Sequence, residues 1–304
     1  MQKAPPTPKG FRYITPTLSQ KRREVIGKIV EVLEDFEFVP IETPTIEFAE
    51  TLKGKYGEEE KLIYEFTDRG GRRLALRYDL TVPLARYVAT HNPPLPFRRY
   101  QIGQVFRGEN PQHGRYREFT QVDFDTVGLT EERDSTIEED AKIIATALKS
   151  VQNIGLKKAK MAINDRRNFS GIPIEVVRAF DKLKKIGIEG VKAEIGKTKY
   201  SKDFENFKYL FTTGKKSTLT SLFKILKDKY KLTEDGDFFF ESTLARGLDY
   251  YTGAIFELKP NDDPGSLSIG GGGRYDSLVG MFSKKQIPAV GFSFGLDRLI
   301  ESIP

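Results

Sequence analysis

Residues 106–125, FRGENPQHGRYREFTQVDFD, constrain this chain more than any other stretch. They read as two strands joined by a Pro- and Gly-punctuated connection, Asn110 to Gly114, longer than a two-residue hairpin turn. The first strand ends in Phe106-Arg107-Gly108-Glu109, and the second runs through Phe119, Gln121, Asp123 and Asp125. Side chains alternate faces along a strand, so those four share one face, and Arg107 and Glu109 share one face of the partner. An aromatic ring, the guanidinium groups of Arg107 and Arg115 and several carboxylates on one sheet surface make poor core and good ligand chemistry. Read alone, the hairpin is compatible with a solvated surface or with a ligand platform.

The flanking sequence supplies the rest of the sheet. Leu18–Phe36 carries Val25, Ile29, Val32, Leu33 and Phe36 at helical spacing, with Thr17 or Ser19 to cap it. FVPIETPTIEF (38–48) reads as a strand whose Pro40 and Pro44 remove ladder donors, which puts it at a sheet edge or subunit boundary. A strand pair is expected around the DRGGR turn, at Leu62–Phe66 and Leu74–Tyr78, then a helix beginning near Pro83. Phe97–Phe106 leads into the hairpin, Glu131–Ile154 is a helix with an acidic start, and Met161–Asn164 a strand. Later strands are expected at Phe238–Phe240, Ala254–Leu258, Ser266–Gly270 and Ala289–Gly295, the last feeding a helix with Asp297 and Arg298.

From Ile174 to Leu226 the apolar positions keep helical spacing, so residues 166–235 are expected to be a small helical module inserted into a sheet domain. The division is then 1–165, 166–235 and 236–304. Between Arg178 and Lys231 there are 15 Lys and Arg against 6 Asp and Glu, in a chain of net charge +6. A basic segment on a mildly acidic body suits a polyanionic partner or, equally, a lysine-rich solvated helical surface.

Composition excludes several chemistries. There are no cysteines, hence no disulfides, zinc–thiolate sites or thiol nucleophiles. With only two histidines, His91 and His113, a Ser-His-Asp triad or a histidine-based metal cluster is not expected. Neither phosphate-loop pattern occurs, and the glycines of GGGGRYD (270–276) are read as following a strand and letting backbone approach a ligand or another strand. Without an acid–base histidine, Arg107, Arg115, Arg246 and Arg298 best support nucleotidyl or phosphoryl transfer by charge stabilisation, because the guanidinium fork matches phosphate oxygens. No apolar run approaches a membrane span and the N-terminal stretch lacks the apolar centre of a secretory signal, so a cytoplasmic protein is expected.

FRGEN…GRYREF resembles motif 2 of the class II aminoacyl-tRNA synthetases, and AVGFSFGLDRL (289–299) resembles their motif 3. The first helix with FVPIETPTIEF resembles motif 1, whose proline, here Pro44, lies at the dimer interface. ARGLDYYTG (245–253) and GGGRYD (271–276) resemble the two signature peptides of the histidyl-tRNA synthetase family, and LRYDLTVP (76–83) its archaeal and eukaryotic branch. The resemblance implies an α+β fold, a class II antiparallel sheet flanked by helices. It also implies a homodimer that activates histidine with ATP and Mg²⁺ to histidyl-adenylate and transfers it to tRNA(His), without a resident metal.

Carried over by position, Arg107 would hold the α-phosphate, Glu109 face the adenine end and Phe119 stack on adenine. Arg115 and Arg298 would hold the distal phosphates, and Arg246 would stabilise charge as the carboxylate attacks. Asp79, Thr81 and Gln121 would hold the α-amino group. Asp125 and Tyr251 would read the imidazole, beside Tyr250 and the glycine run. Gln112 and its loop would approach the tRNA end, and the basic module the acceptor stem. Family members continue past motif 3 into an anticodon-binding domain, whereas this chain stops at Pro304. It is expected to be either a catalytic fragment or a protein natively without that domain. The competing expectation is the synthetase-like regulatory subunit of ATP phosphoribosyltransferase. A purely RNA-binding module would not need the arginine set.

Overall fold

The hairpin is the trunk of the sheet. In the computed structural model, which describes residues 5–112, 114–128, 133–213, 216–245, 250–263, 266–283 and 285–303, β5 (Phe97–Phe106) pairs antiparallel with β6 (Glu118–Val127) along their whole length. Ahead of them come α1 (Pro16–Asp35), β1 (Val39–Pro40), β2 (Ile46–Phe48), α2 (Ala49–Leu52), β3 (Glu65–Thr67), β4 (Arg73–Leu76) and α3 (Thr81–His91). After them follow α4 (Arg133–Asn153), β7 (Lys160–Asp165), α5 (Ile174–Asp181), α6 (Leu183–Gly196), α7 (Phe204–Thr213) and α8 (Thr220–Asp228). The chain closes with β8 (Phe238–Phe240), β9 (Ala254–Lys259), β10 (Gly270–Arg274), β11 (Ala289–Gly295) and α9 (Leu296–Glu301).

Eight strands form the main sheet in the order β1-β5-β6-β11-β10-β9-β7-β8, antiparallel except for the outer pairs β1/β5 and β7/β8. The fold is α+β, as expected. One sheet face carries Tyr100, Val122, Phe124, Val290, Phe292, Phe294, Phe256 and Leu258, packed with apolar side chains of α1, α4, α8 and α9 in the larger core. Burying this face is the main driving force the sequence offers, at about 25 cal/mol per Å² of apolar surface. The opposite face is polar at its centre and carries the site.

Several local expectations change. Thr15, not Thr17 or Ser19, caps α1: its Oγ1 accepts from the Leu18 amide at 3.4 Å, and Pro16 takes the first helical position. FVPIETPTIEF is two strands in two sheets. β1 is the edge of the main sheet, where Pro40 needs no donor, and β2 joins β4 and β3 in a separate three-stranded sheet. The strand expected at Ser266–Gly270 is displaced, because the glycine run itself is strand β10, paired on both sides. Hydrogen bonds to two neighbours hold in a strand a sequence whose own propensity is for turns.

Residues 166–235 hold helices and no strand among the described residues. Their packing is divided. Val176, Phe180, Val191, Ile195, Phe204 and Phe211 belong to the second core, with Phe180 and Phe211 stacked at 4.0 Å. Leu219, Leu222, Phe223 and Leu226, the last three on α8, join the larger core instead.

Candidate active site

Strand register builds the site. Arg99, Asp125, Gly291 and Gly273 lie in one row across β5, β6, β11 and β10. Gln101, Asp123, Ser293 and Gly271 form the next row, with Glu257 of β9 beyond, and Gly103, Gln121 and Gly295 the third. The alternation of AVGFSFG thus has a physical reason. Phe292 and Phe294 fill the core, while Gly291, Ser293 and Gly295 leave the other face open. A Cβ on Gly272 would lie 2.0 Å from the Gly291 carbonyl oxygen, so β10 and β11 approach as only glycine permits.

The open face is the floor of a cleft of about 400 Å³, within the range of small-molecule sites. Asp79, Thr81, Arg107, Glu109, Arg115, Phe119, Gln121, Asp125, Tyr250, Tyr251 and Arg298, expected from the sequence, all line it. Gln112 does not; it is exposed at the hairpin tip, exchanging backbone hydrogen bonds with Arg115. Arg246, expected to be catalytic, and His113 lie outside the described residues.

One end of the cleft is acidic and buried. Asp125 Oδ1 accepts from the Tyr275 hydroxyl, and its Oδ2 lies 2.7 Å from the fully buried Arg99 guanidinium. Burial pushes the Asp125 carboxyl up against the pull of Arg99. Asp79, at the start of α3, accepts through Oδ1 from the Tyr56 hydroxyl and the Val82 amide, both at 3.0 Å. Its Oδ2 is buried without a hydrogen-bond partner among the described residues, and so is Gln121 Oε1. A buried acceptor left unsatisfied costs on the order of 1–3 kcal/mol, so two lining one cleft suit a donor-rich ligand.

The other end is basic. Arg107 lies between two rings, its guanidinium carbon 4.3 Å from the Tyr78 centroid and 5.1 Å from that of Phe119. Its Nε donates to the Tyr78 carbonyl at 3.2 Å, and the Tyr78 hydroxyl donates to Glu59 at 2.6 Å. Arg298 donates from Nε to the Gly114 carbonyl at 2.7 Å and so holds the hairpin tip. Burial, and then Arg115 nearby, lowers the proton affinity of Arg298. Arg115 pairs with Glu109 at 3.2 Å. That pair is partly exposed and worth at most about 1 kcal/mol, so a polyphosphate can displace it.

The N-terminal segment straps this end. Gly10 accepts from the Arg117 amide at 2.9 Å. Arg12 lies 3.6 Å over the Tyr116 ring and pairs with Asp297, which also binds Arg22 at 2.6 Å. Arg99, Tyr275, Ser293, Tyr56, Tyr78 and Arg12 had no assigned part in the sequence reading. Arg99 is legible once the hairpin register is known, because it sits directly opposite Asp125. The eleven residues between the strands conceal that register.

A mostly antiparallel sheet with an arginine cluster at one end of its cleft and buried acceptors at the other suits a ligand that is anionic at one end and rich in donors at the other. The solved histidyl-tRNA synthetase of Nostoc sp. is similar over 97% of this chain and 74% of its own, at a TM-score of 0.77 and 30% identity. Curated histidine–tRNA ligases of Aeropyrum pernix and Korarchaeum cryptofilum are 41% and 40% identical, covering 98% and 97% of this chain and 74% of each relative. The family model described as histidyl-tRNA synthetase matches residues 10–226 and 211–299. The chain belongs to the histidyl-tRNA synthetase family.

Proposed function

We propose that this chain is a histidine–tRNA ligase that activates histidine with ATP and transfers it to tRNA(His). The observation that carries the reading is the pairing, across one cleft, of two orphaned buried acceptors, Asp79 Oδ2 and Gln121 Oε1, with the cationic cluster of Arg107, Arg115 and Arg298. An α-ammonium group supplies the donors the first end lacks, and a triphosphate the charge the second end lacks.

In this reading Asp79, Thr81 and Gln121 hold the ammonium group, while Asp125 and Tyr251, beside Tyr250, hold the imidazole. Reading ring nitrogens with buried polar groups rejects isosteres that leave those groups unpaired. Arg107, fixed between Tyr78 and Phe119, meets the α-phosphate. The histidine carboxylate attacks that phosphorus and pyrophosphate leaves, giving histidyl-adenylate. A hydroxyl at the tRNA end then attacks the acyl carbon and AMP leaves. Phe119 and Glu109 serve the adenine, and Arg115 and Arg298 the distal phosphates. Arg246, outside the described residues, would neutralise charge building at the α-phosphate.

No cluster of three metal-ligating side chains occurs among the described residues. In this reading Mg²⁺ would arrive on the triphosphate, where it would neutralise phosphate charge. We further propose that residues 166–235 act as an inserted module meeting the acceptor stem with their basic surface, between core parts 1–165 and 236–304, while Gln112 approaches the tRNA end. A homodimer is supported by Ile46, Phe48 and Phe66, exposed by 47%, 50% and 41% on the small sheet. A cytoplasmic location rests on the cysteine-free composition, and among the described residues no helix is long and apolar enough to cross a membrane.

The test is histidine-dependent ATP–pyrophosphate exchange by the purified protein, with charging of tRNA(His) as the second step. Exchange with histidine and none with other amino acids is expected; a folded protein that gives none refutes the reading. The alternative, a regulatory subunit of ATP phosphoribosyltransferase, predicts stimulation of that enzyme and no exchange, and the names of the curated relatives support it less.

A further inference from the structure

Gln121 has an amide whose oxygen and nitrogen are chemically opposite toward an ammonium group, one attracting and one repelling it. Its neighbours decide which faces the cleft. Gln121 Nε2 donates to Ser293 Oγ at 2.8 Å, and Ser293 Oγ donates to Asp123 Oδ1 at 2.5 Å. Ser293 and Asp123 are cross-strand partners on β11 and β6, and Gln121 is the next residue of β6 on the same face. Asp123 is 1% exposed.

We propose that Asp123 and Ser293 are positioning residues that fix the polarity of the Gln121 amide and thereby make the cleft selective for an α-ammonium group. At pH 8 the Asp123 carboxyl, raised to about 7 by burial, is mostly ionised and only accepts, so the single Ser293 hydroxyl proton goes to Asp123. Ser293 Oγ is then left as an acceptor toward Gln121, which must present its NH₂. Gln121 Oε1 turns into the cleft, where it is buried and unpartnered. Without the relay the amide is free to turn, and its NH₂ would meet the ammonium group as donor against donor. Neither Asp123 nor Ser293 need touch the substrate.

The inference rests on the proposed histidine-binding reading, and two ligands separate the two. Titration calorimetry at pH 8 compares histidine with imidazolelactate, in which a hydroxyl replaces the ammonium group. A hydroxyl donates or accepts and is indifferent to the amide's orientation. Ser293→Ala is expected to weaken histidine binding by about tenfold or more and to change imidazolelactate by less than about twofold. In exchange assays its KM for histidine should rise with kcat nearly unchanged. Equal losses for both ligands, or no loss for histidine, overturn the relay. A wild-type chain that binds no histidine overturns the functional reading instead. Should the alanine variant fail to fold, Ser293→Cys carries the same expectation, because a thiol is a weak acceptor.

Discussion

Gly291 lies directly across the strand pair from Asp125, and a Cβ on it would stand 1.8 Å from Asp125 Oδ1. The carboxylate occupies space that every other residue type would fill. Gly291→Ala must therefore push Asp125 away from Tyr275 and Arg99. We expect histidine-dependent exchange to fall by at least about a hundredfold, mainly through KM, with a stability loss of about 1–3 kcal/mol from overpacking. Full activity would mean that Asp125 has room to move and does not set the pocket.

Arg107 is held by two rings and one carbonyl, so its fork is aimed before any ligand arrives. Arg107→Ala should lower kcat for exchange by about 10²–10³. Arg107→Lys should recover only a small part, since an ammonium lacks the planar fork. Histidine binding measured without ATP should change little in either variant.

Arg12 connects the N-terminal segment to Tyr116 and Asp297, the neighbours in sequence of Arg115 and Arg298. Releasing it loosens the mount of the phosphate end. Arg12→Ala should raise KM for ATP severalfold and leave KM for histidine unchanged, at a stability cost of about 1–2 kcal/mol. Steady-state exchange with each substrate varied in turn distinguishes this from a general loss of folded protein, which would lower kcat alone.

Burial raises the Asp123 carboxyl from 3.8 to about 7, against Arg99 and with Asp125 and Asp79 adding repulsion. Arg77 also lies within its field. A raised carboxyl is held more tightly by the folded chain, so its ionisation destabilises the fold as pH rises from the unfolded value to the folded one. Asp123→Asn should therefore be more stable than the wild type at pH 8, by on the order of 2 kcal/mol. The advantage should shrink as pH falls below about 7. Denaturant unfolding at pH 8 and pH 5.5 measures both; a pH-independent difference would deny the carboxyl its unusual affinity.

The sheet was legible because its strands alternate. Phe119, Gln121 and Asp125 could be put on one face by counting, and the arginines flagged as a set; these three and Arg107, Arg115 and Arg298 line the cleft, while Arg246 lies outside the described residues. Pairing across strands was not legible: the long hairpin connection hides the register that sets Arg99 against Asp125, and Ser293 meets Asp123 between strands far apart in the chain. The glycine run was misread for a related reason. Four glycines show no period and no propensity, and only the neighbours on either side make them a strand. The division of helices 166–235 between two cores was also hidden, since helical spacing gives the apolar face and not the surface it meets.

β10 offers the cleft no side chain from its four glycines, and glycine gives up more conformational freedom on ordering than any other residue. Its order is lent by β9 and β11. In the proposed reading, an imidazole settling against that bare backbone would supply the packing the sequence withholds, so the substrate would complete the sheet that receives it. Occupancy and the rigidity of this strand then become one linked quantity, and amide exchange along Gly270–Arg274 should slow in step with histidine saturation.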